Sequence, residues 1–221
     1  MRKGFKPRYK ACFQLNVNLW ARPKLLKFTS NKWKGINKKS PYSILGQKNS
    51  LKYSHLQPNA RLYGLRLKSK QLVKKYYGGI KEKQLQKYYL STKGFGDNSK
   101  VFSLLECRLD ITLYRMFFAT TLFEARQYIN HGFIKVNGIR VKQKSHLLRE
   151  GDLISIDKKY WSILSIKIHD LLNKTKSKAL CSPHLQVDYF ILEGFFISMP
   201  EYSKIMYPVL MDPNLAKEYY K

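Results

Sequence analysis

Arg108 and Arg115 stand seven positions apart in a stretch of helical periodicity, and Arg126 lies on the next such stretch. A guanidinium is a planar fork of donors that matches two oxygens of a phosphate, so three of them on one scaffold read as anion grips. Lys135, Arg140, Lys142 and Lys144 surround Asn137-Gly138 and add point charges. Acid–base catalysis has little to work with, because no Asp or Glu precedes Glu82. Cys12, Cys107 and Cys181 stand far apart in the chain, which excludes a CxxC pair, a zinc knuckle and an even disulfide framework. The expectation is an intracellular binding protein with no catalytic residue, no cofactor and no metal.

Charge says what is bound. Of 221 residues, 42 are Lys or Arg and 14 are Asp or Glu, for a formal net charge of +28. The first hundred residues hold only Glu82 and Asp97 as acids and carry +23; the remainder carries +5. Such a chain repels itself unless a polyanion neutralises it, which makes nucleic acid the expected partner ahead of a membrane or an acidic protein. With 44% hydrophobic and 14% aromatic residues, a packed core is expected nonetheless. The most apolar stretch, Phe190 to Met199, is short and interrupted by Glu193, so no membrane role is expected. No homo-oligomer is expected either.

Four segments position these charges. Residues 1–60 read as a basic arm whose candidate contacts are Lys3, Lys6, Arg8 and Lys10. Residues 61–98 read as a helical region in which Leu62, Leu65 and Leu72, then Leu85 and Tyr88, keep helical spacing. Arg66, Lys70, Lys74 and Lys75 are its candidate contacts, and Gly78-Gly79 divides it into two helices. Residues 93–99 are turn chemistry and open a compact module at 99–157. In that module one helix is expected over 103–118, with Leu104, Cys107, Ile111 and Tyr114 on one face and Arg108 and Arg115 on an adjoining one. Thr121 caps a second helix with Glu124 as its capping-box partner; Leu122, Ala125 and Ile129 point inward, and Arg126, Gln127 and Asn130 elsewhere. His131-Gly132 closes it, and His131 reads either as a contact or as a solvent-facing residue.

Asn137-Gly138 supplies both positive φ angles of a type I′ hairpin turn. Its register pairs Val136 with Ile139 and Ile134 with Val141 on an apolar face, and sets Lys135 opposite Arg140. Like charges so placed repel by a few tenths of a kcal/mol to about 1. A sheet that tolerates them is expected to present them to phosphates, and the bare Gly138 turn allows close approach. After the turn 149–152, residues 153–156 close a small sheet. The fold class is therefore α+β: a basic arm and helical region flanking a compact module of two helices on a small β-sheet, with residues 158–221 packing back on the helical region.

Arg108-Leu109-Asp110, Tyr114-Arg115, Glu124-Ala125-Arg126-Gln127, His131-Gly132, Val136-Asn137-Gly138 and Gly151-Asp152, in this order and spacing, resemble the RNA-binding module named after ribosomal small-subunit protein four. Tyr63-Gly64-Leu65-Arg66-Leu67, Lys70-Gln71, Lys74-Lys75 and Tyr77-Gly78 look like the helical segment that precedes the module in the ribosomal protein family itself. Leu185-Gln186-Val187-Asp188, Glu193-Gly194 and the ending Glu218-Tyr219-Tyr220-Lys221 are similar to its C-terminal part. The chain departs from some family members in lacking an N-terminal zinc-binding cysteine cluster, which Cys12 alone cannot form, and from the family in keeping only Gly46-Gln47 of a Pro-Gly-Gln-His-Gly stretch and in the divergent residues 158–184.

The resemblance implies a constituent of the small ribosomal subunit that binds a helix junction in the 5′ domain of its rRNA and supports subunit assembly and translation. Protein five would be a neighbour, near where messenger RNA enters. Within the module the implied contacts are Arg108, Arg115, Thr121, Arg126, Gln127, His131, Lys135, Asn137, Gly138, Arg140, Lys142 and Lys144. The other classes that use this module are a non-ribosomal RNA chaperone and an RNA-modifying pseudouridine synthase; the synthase would need a catalytic domain for which these segments leave no room. Arg126→Glu, or Lys135→Glu with Arg140→Glu, is expected to abolish rRNA binding and leave the module folded. A mitochondrially encoded protein of the organelle's matrix ribosome is expected, because Lys and Tyr, read from AT-rich codons, are abundant and no presequence is visible. A plastid or an AT-rich bacterial cytoplasm is the alternative.

Overall fold

The computed structural model describes residues 10–15, 17–20, 58–92, 99–175 and 182–220. In chain order the helices are α1 (Lys10–Leu15), α2 (Pro58–Tyr76), α3 (Glu82–Ser91), α4 (Lys100–Glu106), α5 (Leu109–Arg115), α6 (Leu122–His131), α7 (Trp161–Thr175) and α8 (Pro213–Glu218). The strands are β1 (Ile134–Val136), β2 (Ile139–Arg140), β3 (Leu153–Ile156), β4 (Leu185–Asp188) and β5 (Glu193–Phe196). Two compact units result, residues 1–89 with 207–221 and residues 90–206. Lys3, Lys6, Arg8, the Lys10 side chain and most of the turn at 93–99 lie outside the described residues.

The first unit is built on α2. Pro58 starts it with a pre-set φ and no amide hydrogen to satisfy. It ends at Tyr76 because Gly78 and Gly79 take φ of 71° and 72°, and the Gly79 N–H returns to the Lys74 carbonyl at 2.9 Å. Asp212 caps α8 by accepting from the Asn214 and Leu215 N–H groups. α8 then lies on α2: Arg66 Nε meets Glu218 at 2.9 Å, and Lys70 Nζ sits 3.5 Å above the Tyr219 ring. Leu72, Val73, Tyr77, Leu85, Tyr89 and Ala216 are buried in this unit.

Glu82, at the start of α3, accepts from Lys70 Nζ and Lys74 Nζ, both at 2.9 Å, and from Tyr220 Oη at 2.8 Å. Burial alone would raise its pKa, but these hydrogen bonds outweigh it and hold the carboxyl at about 2.

The second unit is a five-stranded antiparallel sheet, order β2-β1-β3-β5-β4, covered by helices. Its core joins Leu109, Leu113 and Met116 of α5 and the following turn, Ala125 and Ile129 of α6, Ile134, Ile154 and Phe196 of the sheet, and Leu164 and Ile168 of α7. The expected single helix over 103–118 is broken. Arg108 is extended (φ −73°, ψ 136°) and forms a bridge with Leu147, while Leu148 N–H bonds the Cys107 carbonyl at 2.8 Å and Leu109 N–H the His146 carbonyl at 2.9 Å. The segment His146 to Leu148, remote in the chain, thus supplies hydrogen bonds that a continuous helix would have used, and Leu104 and Cys107 do not share a helix face with Ile111 and Tyr114.

Thr121 caps α6 by accepting from Glu124 N–H at 3.0 Å, and the Glu124 carboxylate returns to Thr120 N–H at 2.8 Å, one residue before the expected partner. Gly132 ends α6 at φ 74°. Asn137 and Gly138 turn at φ 50° and 78°, with Lys135 opposite Arg140 and Val136 opposite Ile139 as expected. Ile139, however, is 72% exposed: β2 has two residues and lies at the sheet edge. The C-terminal segment divides, with β4 and β5 completing this sheet through β3 and residues 207–220 belonging to the first unit.

A carboxyl with a depressed folded-state pKa contributes stability above its unfolded value of 4.5 and loses it as pH falls towards about 2. The difference in melting temperature between wild type and Glu82→Gln should therefore shrink steadily from pH 5 to pH 2. A difference that stays constant across that range would show that the Glu82 charge is not what joins α2, α3 and the C-terminus.

Candidate nucleic-acid interface

Two carboxylates lie wholly inside the second unit, and they decide which arginines are available. Asp110, on the first turn of α5, accepts from Arg108 Nε at 3.0 Å and Nη2 at 2.9 Å, and from Arg126 Nε of α6 at 2.8 Å. Glu106, at the end of α4, accepts from Arg115 Nε at 3.0 Å and Nη2 at 2.9 Å, and Arg115 Nη1 bonds the Met206 carbonyl at 3.1 Å. Both carboxylate side chains are 0% exposed, the Arg108 side chain 2%, and those of Arg115 and Arg126 12%. A carboxylate taken out of water is tolerated only when paired and hydrogen-bonded, and these forks do that.

Arg108, Arg115 and Arg126, expected as forked phosphate contacts, are engaged by these carboxylates and brace α4, α5 and α6 against one another. Arg126→Glu, expected to leave the module folded, would set a second carboxylate against Asp110. Glu106 and Asp110 within an otherwise apolar helical pattern were the available signal.

Elsewhere the site residues sort by exposure. Lys70 is buried beneath Tyr219 and paired with Glu82, where it clasps α2 to α3; Lys74 shares that carboxylate and Arg66 is engaged by Glu218. Lys75 is half-buried, and burial followed by the neighbouring Lys74 charge lowers its pKa. Asn137 is exposed, and its side chain clasps the hairpin to β3: Nδ2 donates to Asp152 Oδ1 at 2.8 Å and Oδ1 accepts from Leu153 N–H at 2.9 Å. The Thr121 hydroxyl is occupied by its cap.

The outer charges form a different set. Lys142 and Lys144 are exposed on the segment after β2, which is held by Asp110 N–H bonding the Lys144 carbonyl at 3.3 Å. Their side chains make no ion pair with a described carboxylate. Gln127 and His131 are exposed on α6, and Gly138 leaves open space at the hairpin tip. Lys135 and Arg140 do face each other, but Asp157 lies between them, with Lys135 Nζ at 3.4 Å and Arg140 Nη2 at 2.5 Å. The Arg140 guanidinium holds the Asp157 carboxyl below its usual range. The strand pair thus tolerates its like charges through a third residue, while part of each side chain still faces solvent. The sequence reading missed Lys158 and Lys159, exposed directly after Asp157 in a segment set aside as divergent; the adjacent lysines following a strand were the signal.

Among the described residues no group of three His, Cys, Asp or Glu side chains could hold a metal ion, and no helix is long and apolar enough to cross a membrane. What the second unit offers is a rigid sheet and helix scaffold, internally neutralised, with cations on its outside. Residues 107–154 of it match the S4 domain, an RNA-binding module, and residues 4–106 match the ribosomal protein S4/S9 N-terminal domain. The combination defines a ribosomal RNA-binding protein. The small ribosomal subunit protein uS4 of Granulibacter bethesdensis is 38% identical over 224 residues, that of Acidiphilium cryptum 36% over 223, and that of Rhodospirillum rubrum 34% over 223. Each alignment spans all of this chain and 99% of the relative. The chain belongs to the uS4 family of small ribosomal subunit proteins, which is structural rather than enzymatic.

Replacing Arg108 by Met leaves Asp110 with half its compensation, and breaking a buried pair from one side costs about 3–5 kcal/mol. Urea unfolding of the Arg108→Met variant should show a loss of that size, whereas Lys144→Ala should stay within about 0.5 kcal/mol of wild type. Equal, small losses for both would mean that the interior ion pairs do not brace the helices.

Proposed function

We propose that the chain is a structural constituent of the small ribosomal subunit that grips a helix junction in the 5′ domain of the small-subunit rRNA and so supports subunit assembly and translation. The observation that carries this reading is the division of cations in the second unit. Arginines with the shape of anion ligands are consumed inside, and a separate set, Lys135, Arg140, Lys142 and Lys144, stands outside on elements whose positions the interior pairs hold. Structured RNA exposes shape and phosphates more than base edges, so charges at set distances on a stiff scaffold select a particular arrangement of helices. The N-terminal cations Lys3, Lys6, Arg8 and Lys10 extend the grip, and Gln127 and His131 of α6 add polar contacts.

Neighbouring small-subunit proteins complete the site, protein five among them, close to where messenger RNA enters. The ribosome in question is that of a mitochondrion, a reading supported by the high Lys and Tyr content, 16 of the latter, which an AT-rich organelle genome favours.

Two measurements test this. Sedimentation of organelle lysate should find the protein on small subunits and their precursors; recovery as free protein or on large subunits would contradict it. Lys142→Glu with Lys144→Glu should weaken binding to a small-subunit rRNA transcript without moving the melting temperature. The slope of log K against log salt should fall by roughly 0.9 for each phosphate no longer neutralised. An unchanged slope would remove these lysines from the interface.

A further inference from the structure

Partly beyond the matched S4 domain, the second unit carries a row of rings framed by cations. Phe133, immediately before β1, lies 3.9 Å from Tyr160 between ring centroids, with planes 28° apart, and 5.5 Å from His131 at 24°. His131 is exposed, and Phe133 and Tyr160 are half-buried. Asp157 fixes the row through the backbone, its N–H bonding the Phe133 carbonyl at 2.8 Å and its carbonyl accepting from Tyr160 N–H at 2.9 Å. The same residue's carboxylate holds Arg140 and Lys135. Gly132 has φ +74°, and a Cβ there would stand 2.8 Å from Arg140 Cδ, so the arginine stem runs across the backbone next to His131. Lys158 and Lys159 are exposed on the 3-10 turn Lys158–Tyr160 that carries the last ring.

Neither element alone specifies a ligand; together they do. The exposed end of this stack, His131, offers a flat ring face, and an RNA duplex, whose bases are stacked on each other, has no free face to set against it. An unpaired nucleotide has both that face and a phosphate on either side. An acidic peptide would use the cations and leave the rings idle.

We propose that the His131, Phe133 and Tyr160 row is a stacking platform for an unpaired nucleotide of the small-subunit rRNA, whose flanking phosphates are held by Arg140, Lys158 and Lys159. The proposal rests on the rRNA-binding reading above and adds to it a second kind of contact, one that depends on ring area instead of charge.

Full-length wild-type protein, His131→Ala, His131→Phe and Lys158→Ala/Lys159→Ala are titrated with a small-subunit rRNA transcript at several salt concentrations, and each variant is melted. Removing one stacked base weakens binding roughly 5–150-fold, so His131→Ala should fall in that range with an unchanged salt slope, and His131→Phe should restore most of the affinity. The double lysine variant should instead lower the slope by about 1.4, as for two single-strand phosphates. Independently of the transcript, a single-stranded pentanucleotide containing 2-aminopurine should be quenched by the wild type and His131→Phe and not by His131→Ala. Equal weakening in the Ala and Phe variants, no weakening in the Ala variant, or displacement of the RNA by polyglutamate without dependence on His131 would overturn the platform. Failure of the wild type to bind the transcript would instead overturn the rRNA reading beneath it.

Discussion

Asp110 has no contact with solvent, and its two oxygens accept from two guanidinium groups that come from different elements. That one carboxylate fixes the angle at which α5 meets the extended residue before it and the distance at which α6 lies alongside. Glu106 repeats the device with Arg115 and joins α4 to the residues near Met206. A hydrophobic contact can slide by a fraction of a side chain at little cost, but a buried ion pair with several hydrogen bonds cannot, because any slip leaves a charge uncompensated in a low-dielectric interior. The rest of the second unit depends on this constraint. The hairpin, the segment 142–148 and Asp157 are placed by the sheet and by α5, and the exposed cations ride on them.

A chain of formal charge +28 cannot be stabilised by making all of its cations meet RNA, since it must also fold. The structure divides the labour by depth. At several buried or half-buried carboxylates, cations are drawn in: Lys70 and Lys74 to Glu82, Arg66 to Glu218, Arg108 and Arg126 to Asp110, Lys135 and Arg140 to Asp157. The few carboxylates therefore act as organisers, and the lysines they do not claim form the outer surface. Arginine dominates the interior set of the second unit and lysine the exterior one, as their chemistry favours: a planar fork satisfies a buried carboxylate, while a hydrated ammonium on a flexible stem suits a phosphate at the surface.

Local chemistry made much of this legible in the sequence. The Asn137-Gly138 turn, the Thr121 cap, the glycines that end α2 and α6 and the strand at 153–156 each depend on residues within a few positions, and each stands where the pattern put it. The break at Arg108 does not, because it is made by Leu147 and Leu148 pairing with a much earlier segment. Nor does the enlargement of the small sheet by β5, whose partner β3 is equally remote. Within the site, spacing set Lys135 against Arg140. What type and spacing could not reveal is depth. Arg108 and Lys144 look alike in a sequence, and only the neighbours that bury one of them separate a brace from a surface cation.

Depth is therefore what to measure. Lysine acetylation mapped by mass spectrometry, on the free full-length protein and on its complex with a small-subunit rRNA transcript, reads it at every position. The account predicts that Lys142, Lys144, Lys158 and Lys159 are modified in the free protein and protected in the complex, and that Lys70 is resistant in both. Rapid modification of Lys70, or outer lysines that remain fully reactive on the RNA, would contradict it.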